Sequence, residues 1–161
     1  MRGLKATSCQ DRVRVSGASC VYCGNPATTE DHFPPRCRSK KGFLLPACRS
    51  CNSTAGAAYP YHLPARIRYV QRKMAHRLRS ELETPDWAED EFDELGDGLR
   101  REVERWQKLV SNAKRRNAWS AVAYLQSIAP EAASVLLDAE CDITTWLARP
   151  NWKSLESYEP A

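Results

Sequence analysis

The sequence predicts an α+β protein, mostly helical, with a small zinc-bound core ahead of a helical C-terminal extension. Three observations carry this. Two Cys-x-x-Cys pairs, Cys20/Cys23 and Cys48/Cys51, supply the four sulfur ligands of one tetrahedral ion. Between them lie two short strand-like runs, residues 28–33 and 43–45, bounded by Pro and Gly. After residue 63, apolar residues recur at three- and four-residue spacing along much of the chain. A four-sulfur site has no open coordination position, so structural Zn²⁺ there sets shape and performs no reaction.

Residues 1–19 read as a polar, flexible N-terminal arm, with a short strand at 12–15. Cys20 to Gly24 form the first knuckle, where Gly24 permits a positive backbone angle. Pro34-Pro35 closes the first strand, and Pro46 is expected to stop the second. The loop between them, residues 36–42, holds Arg36, Arg38, Lys40 and Lys41. A short helix should follow the second knuckle over 49–58, limited by Pro60. The next is expected over 64–83, with Pro64 at its first position and Ile67, Val70, Met74 and Leu78 as its apolar stripe. Thr84-Pro85-Asp86-Trp87 is a helix-start pattern. Residues 99–128 carry the longest helical pattern, with Leu99, Val103, Trp106, Val110 and Ala113 on one face. Pro130 opens a helix to 139, and Asp142 caps a last one ending before Pro150. The organisation is therefore an arm (1–19), a zinc-bound core plus basic helix (20–83) and a helical extension (84–161).

The net charge of +4 conceals a strong pattern. Residues 1–83 carry 15 Lys/Arg against 5 Asp/Glu, whereas residues 84–98 carry seven acids and no base. The basic part suits a polyanion, most simply DNA; charge alone suits a solvated surface equally well. The acidic face should point away from DNA or dock a basic partner. The long helical stripe needs cover, from this chain or by self-association. No run is apolar enough to span a bilayer, and no signal-type segment opens the chain. Seven cysteines, four of them paired by spacing, favour metal binding in a reducing compartment; Cys9, Cys37 and Cys141 are left as free thiols.

Residues 20–58 resemble the HNH endonucleases of the ββα-metal fold. The likeness rests on Cys20-x-x-Cys23, Asp31-His32-Phe33-Pro34-Pro35, a Leu-rich strand and Cys48-x-x-Cys51-Asn52. It implies metal-dependent hydrolysis of DNA phosphodiesters in a bacterial, possibly phage-encoded, cytoplasmic setting. By that resemblance His32 is the general base, and Asp31 and Asn52 are ligands of a catalytic Mg²⁺ or Mn²⁺. A neutral His suits proton abstraction near pH 7, and hard oxygen donors suit those cations. Arg36, Arg38, Lys40, Lys41, Arg66, Arg72 and Lys73 are the expected phosphate contacts. Phe43 stands where the family usually places its middle Asn, and no Lys follows Asn52. The alternative is a non-cutting, zinc-stabilised DNA-binding or assembly module. His62 and His76 lie outside the motif and read as surface or packing residues. Asp31 and His32 share a site only if the strand ends or twists there, because strand neighbours point to opposite faces.

Overall fold

The computed structural model describes residues 11–84, 88, 91–92, 94–138 and 143–154. Three strands form one sheet in the order β1-β3-β2. β1 (Arg12–Arg14) lies parallel to β3 (Gly42–Ala47), and β2 (Thr29–Phe33) lies antiparallel to it. All six residues of the central β3 are buried. Gly42 starts this strand at φ 143, and a Cβ there would stand 2.4 Å from the Phe33 carbonyl oxygen. Only glycine fits both conditions.

The strand does not stop at Pro46 as expected, but runs on to Ala47. The carbonyls of Leu44 and Pro46 accept from Val15 N and Val21 N, each at 2.9 Å, on the edge of β3 away from β2. β1 ends before Pro46, so the missing N–H of the proline costs no ladder bond.

The helices are α1 (Arg49–Ala55), α2 (Leu63–Arg77), α3 (Arg79–Leu82), α4 (Asp97–Asn117), α5 (Ala121–Ile128), α6 (Pro130–Leu137) and α7 (Ile143–Ala148). α1 ends earlier than expected, at Gly56 with φ 44. His62 caps α2, its Nδ1 accepting from Ala65 N at 3.0 Å. The single helix expected over 99–128 is two. Ser120 accepts from Ala123 N at 3.2 Å and begins α5, while Trp119 turns inward and donates Nε1–H to Val21 O at 3.0 Å. Pro85-Asp86-Trp87 of the expected helix start, most of the acidic stretch and the Asp142 cap lie outside the described residues.

One hydrophobic core joins these pieces. It holds Val21, Tyr22, Phe33 and Phe43 of the zinc region, Ile67 and Val70 of α2, Leu125 of α5, and Trp146 and Leu147 of α7. The core therefore continues across residue 83, and the C-terminal helices pack directly on the cysteine region. On α4, Val103, Val110 and Ala113 are buried, while Leu99 and Trp106 of the same stripe remain exposed. Among the described residues no helix is long and apolar enough to cross a membrane.

Candidate functional site

The two knuckles bring Cys20, Cys23, Cys48 and Cys51 together, with all four Sγ atoms within 4.8 Å of one another and all four residues buried. Cys23 Sγ and Cys48 Sγ are 3.8 Å apart. Local turns do this: Gly24 N donates to Cys20 O at 2.9 Å, and Asn52 N donates to Cys48 O at 3.0 Å on entering α1. The crowding splits the thiols. Hydrogen bonding from Cys20 lowers Cys23 to about 6, and the neighbouring thiols also lower Cys48. Hydrogen bonding within the cluster pushes Cys20 and Cys51 up. Four soft sulfur donors in a closed, buried set fit Zn²⁺ in a structural role. Among the described residues this is the one cluster of His, Cys, Asp or Glu placed to hold a metal. Cys37 is exposed and outside it.

Asp31 has a different part from the one its sequence context implies. It lies on the inward face of β2 and is 3 % exposed. Arg66 clasps it: Nη2 to Oδ1 at 2.8 Å and Nε to Oδ2 at 3.0 Å. The Tyr22 hydroxyl donates to Oδ2 as well. Burial, and then the adjacent carboxylate, hold the Tyr22 pKa well above its ordinary value. Burial opposes the charge of Arg66, but its bonds to Asp31 and Tyr22 outweigh that and raise its pKa. Both Asp31 oxygens are thus taken by protein donors, and Asp31 is not presented as an oxygen ligand for Mg²⁺ or Mn²⁺. Arg66 is corrected in the same way: it is 0 % exposed, so it faces no phosphate. It also donates to the carbonyls of Ala55 at 3.2 Å, Gly56 at 2.9 Å and Ala58. One guanidinium therefore ties β2, the end of α1 and α2 together.

His32 lies on the opposite face of the strand, because β2 stays regular through Phe33. It is partly exposed, and its Nε2 accepts from Arg36 Nε at 2.7 Å. Burial, followed by the positive charges of Arg36 and Arg12, lowers its pKa below the ordinary 6.5. The imidazole is accordingly neutral at pH 7. Asn52, one residue past Cys51, uses its amide nitrogen on Thr29 Oγ1 at 3.2 Å and Glu30 O at 3.1 Å. It braces α1 against β2. Asp31, His32 and Asn52 therefore engage three separate sets of partners. Among the described residues, Asp31, His32 and Asn52 are not gathered into a second metal-holding group beside the four cysteines.

The loop after β2 is organised from the N-terminal strand. Arg12 donates from Nη1 to Pro34 O at 2.9 Å and from Nη2 to Ser39 O. Arg36, Arg38 and Lys40 are exposed around it. Lys41 is exposed too, but its Nζ donates to Leu147 O at 3.3 Å, so it anchors the loop to the end of α7. Arg72 and Lys73 are exposed on α2. Sequence reasoning missed Tyr22, Arg12 and Trp119. It also misplaced Arg66, whose spacing from Leu63, Val70 and adjacent Ile67 puts it on the buried stripe of α2.

No protein-family profile, curated protein or solved structure matches this chain.

Proposed function

We propose that this chain is a zinc-ordered, DNA-binding module of the HNH type. Its phosphate-facing surface is the Arg12-braced loop of residues 34–41, beside His32. The observation that carries this reading over metal-dependent cleavage is the closure of Asp31 by Arg66 and Tyr22. A carboxylate held by three protein donors and 3 % exposed gives a hairpin its shape and does not face solvent as a metal ligand would. Binding then rests on charge, and its test is salt dependence. Each phosphate neutralised on duplex DNA contributes about −0.9 to the slope of log K against log salt. Arg38→Ala/Lys40→Ala should flatten the slope by about 2 and weaken all sequences alike. An unchanged slope in an electrophoretic or anisotropy titration places the DNA on another surface.

DNA phosphodiester hydrolysis is the second reading, favoured by a neutral His32 beside two arginines. With Nε2 accepting from Arg36, the neutral ring carries its proton on Nδ1. His32 accepts a proton from water only after Arg36 releases Nε2, and a phosphate competes for that guanidinium. In this reading His32→Ala lowers the rate about 10²–10⁴-fold while zinc content and DNA affinity persist. The acidic limb of the pH–rate profile then lies below the ordinary histidine value, because the protonated form of His32 is disfavoured. Plasmid nicking measured with Mg²⁺ and with Mn²⁺ decides between the readings. Equal cutting by wild type and His32→Ala removes His32 from any catalytic part.

A further inference from the structure

Tyr59 is the one non-glycine residue with positive φ among the described residues, at 44°. A bulky side chain held in this region costs free energy and persists only where its surroundings impose it. Arg66 supplies the constraint. From beneath, it holds the carbonyls of Ala55, Gly56 and Ala58, so the turn leading into Tyr59 is fixed by a buried cation. Pro60 stiffens the residue that follows.

What this rigid turn displays is aromatic. Tyr59 is 45 % exposed and Tyr61 is 40 % exposed. The Tyr59 ring lies 5.7 Å from that of Tyr69 on α2, at an interplanar angle of 56°. Lys73 Nζ stands 5.8 Å from the Tyr69 ring centroid. Arg68 and Arg72 are exposed on the same helix. Aromatic faces flanked by cations match a ligand with flat π-systems on an anionic backbone. In a duplex the base faces are already stacked on one another; in a single strand they are open. A pre-fixed ring also binds with less loss of freedom than a mobile one.

We propose that the surface from Tyr59 to Lys73 is a platform for single-stranded nucleic acid. An unpaired base stacks on Tyr59, and Arg68, Arg72 and Lys73 hold the adjacent phosphates. This rests on the reading that the chain binds nucleic acid, and it adds the strand state recognised.

The test uses fluorescence anisotropy on the full chain at one low salt concentration, with three labelled probes. They are a strand of about 12 thymidines, an abasic strand of equal length and a duplex of equal length. The wild type should bind the thymidine strand more tightly than the abasic one, a comparison that needs no variant. Tyr59→Ala should weaken the thymidine complex about tenfold and leave the abasic and duplex complexes unchanged. Tyr59→Phe keeps the ring and should bind as wild type does. Alanine shares the backbone cost of tyrosine at this position, so the difference reads the ring. Equal affinity of the wild type for thymidine and abasic strands overturns the platform, as does wild-type affinity in Tyr59→Ala. If the duplex binds through Arg38 and Lys40 while Tyr59→Ala changes nothing, the platform alone fails. If no probe binds, the nucleic-acid reading fails with it.

Discussion

Replacing Cys20 with Ser, or stripping the metal with a chelator, should unfold the sheet together with the helices packed on it. The sheet has strands of three, five and six residues, too short to stand without help. The four sulfurs meet inside the core that also contains Leu125 and Trp146. Losing the ion leaves four cysteine side chains buried in the core with no shared centre to hold the two turns together. Structural zinc contributes on the order of 10 kcal/mol in small domains, comparable to the whole stability of a protein this size. Far-ultraviolet circular dichroism and zinc analysis by atomic emission, taken together on Cys20→Ser, measure it. A metal-free protein with a wild-type spectrum would show that the cluster is not a metal site.

The second large effect is expected at Asp31. Asp31→Ala strands a fully buried guanidinium, a change that costs about 3–5 kcal/mol where such pairs have been broken. Arg66→Met should be at least as damaging, since it also takes a donor from three carbonyls around the end of α1, of which that of Ala55 keeps Ala58 N. The double change Asp31→Leu/Arg66→Met should recover part of the loss, because no unpaired charge remains, but not the share owed to those carbonyls. Urea unfolding at fixed zinc concentration reads all three. If Asp31→Ala is as stable as wild type and gains nothing from the second change, the pair is not what binds β2 to α2. If it instead loses Mg²⁺ binding while keeping its stability, the carboxylate is a metal ligand after all.

Much of the frame could be read from residue spacing. The Cys pairs announce their cluster because thiols three positions apart in a turn can reach one ion. The strand at 12–15 and the hairpin around residues 28–45 follow from composition and from Pro-Gly punctuation. Errors arose where tertiary contacts override local pattern. Pro46 was expected to end β3, yet its nitrogen sits where the sheet asks for no donor. The apolar rhythm of 99–128 continues across Trp119-Ser120, so nothing periodic marks the break; the reason for it is a distant carbonyl at Val21. The inward direction of Asp31 was available from strand parity, because Phe33 shares its face. What parity cannot give is the partner, which arrives from a helix 35 positions later. The arginine-rich look of α2 hid one buried arginine among exposed ones, and helical angle was the signal that separates them.

The packing of Trp119 on the first knuckle bears on how the protein is made. Gly24, at φ 71, lies so close to this indole that an added Cβ would be 2.4 Å from the ring. Arg115 Nη2 reaches the neighbouring Asn25 Oδ1 at 2.7 Å. The ligands themselves are all synthesised by residue 51, but the lid over them is translated almost a hundred residues after the first. During synthesis the nascent chain can therefore take up its ion through an open turn and close over it later. For an ion held by these sulfurs, exchange should wait until Trp119 leaves the first knuckle, which ties its lifetime to a local opening of the C-terminal helices.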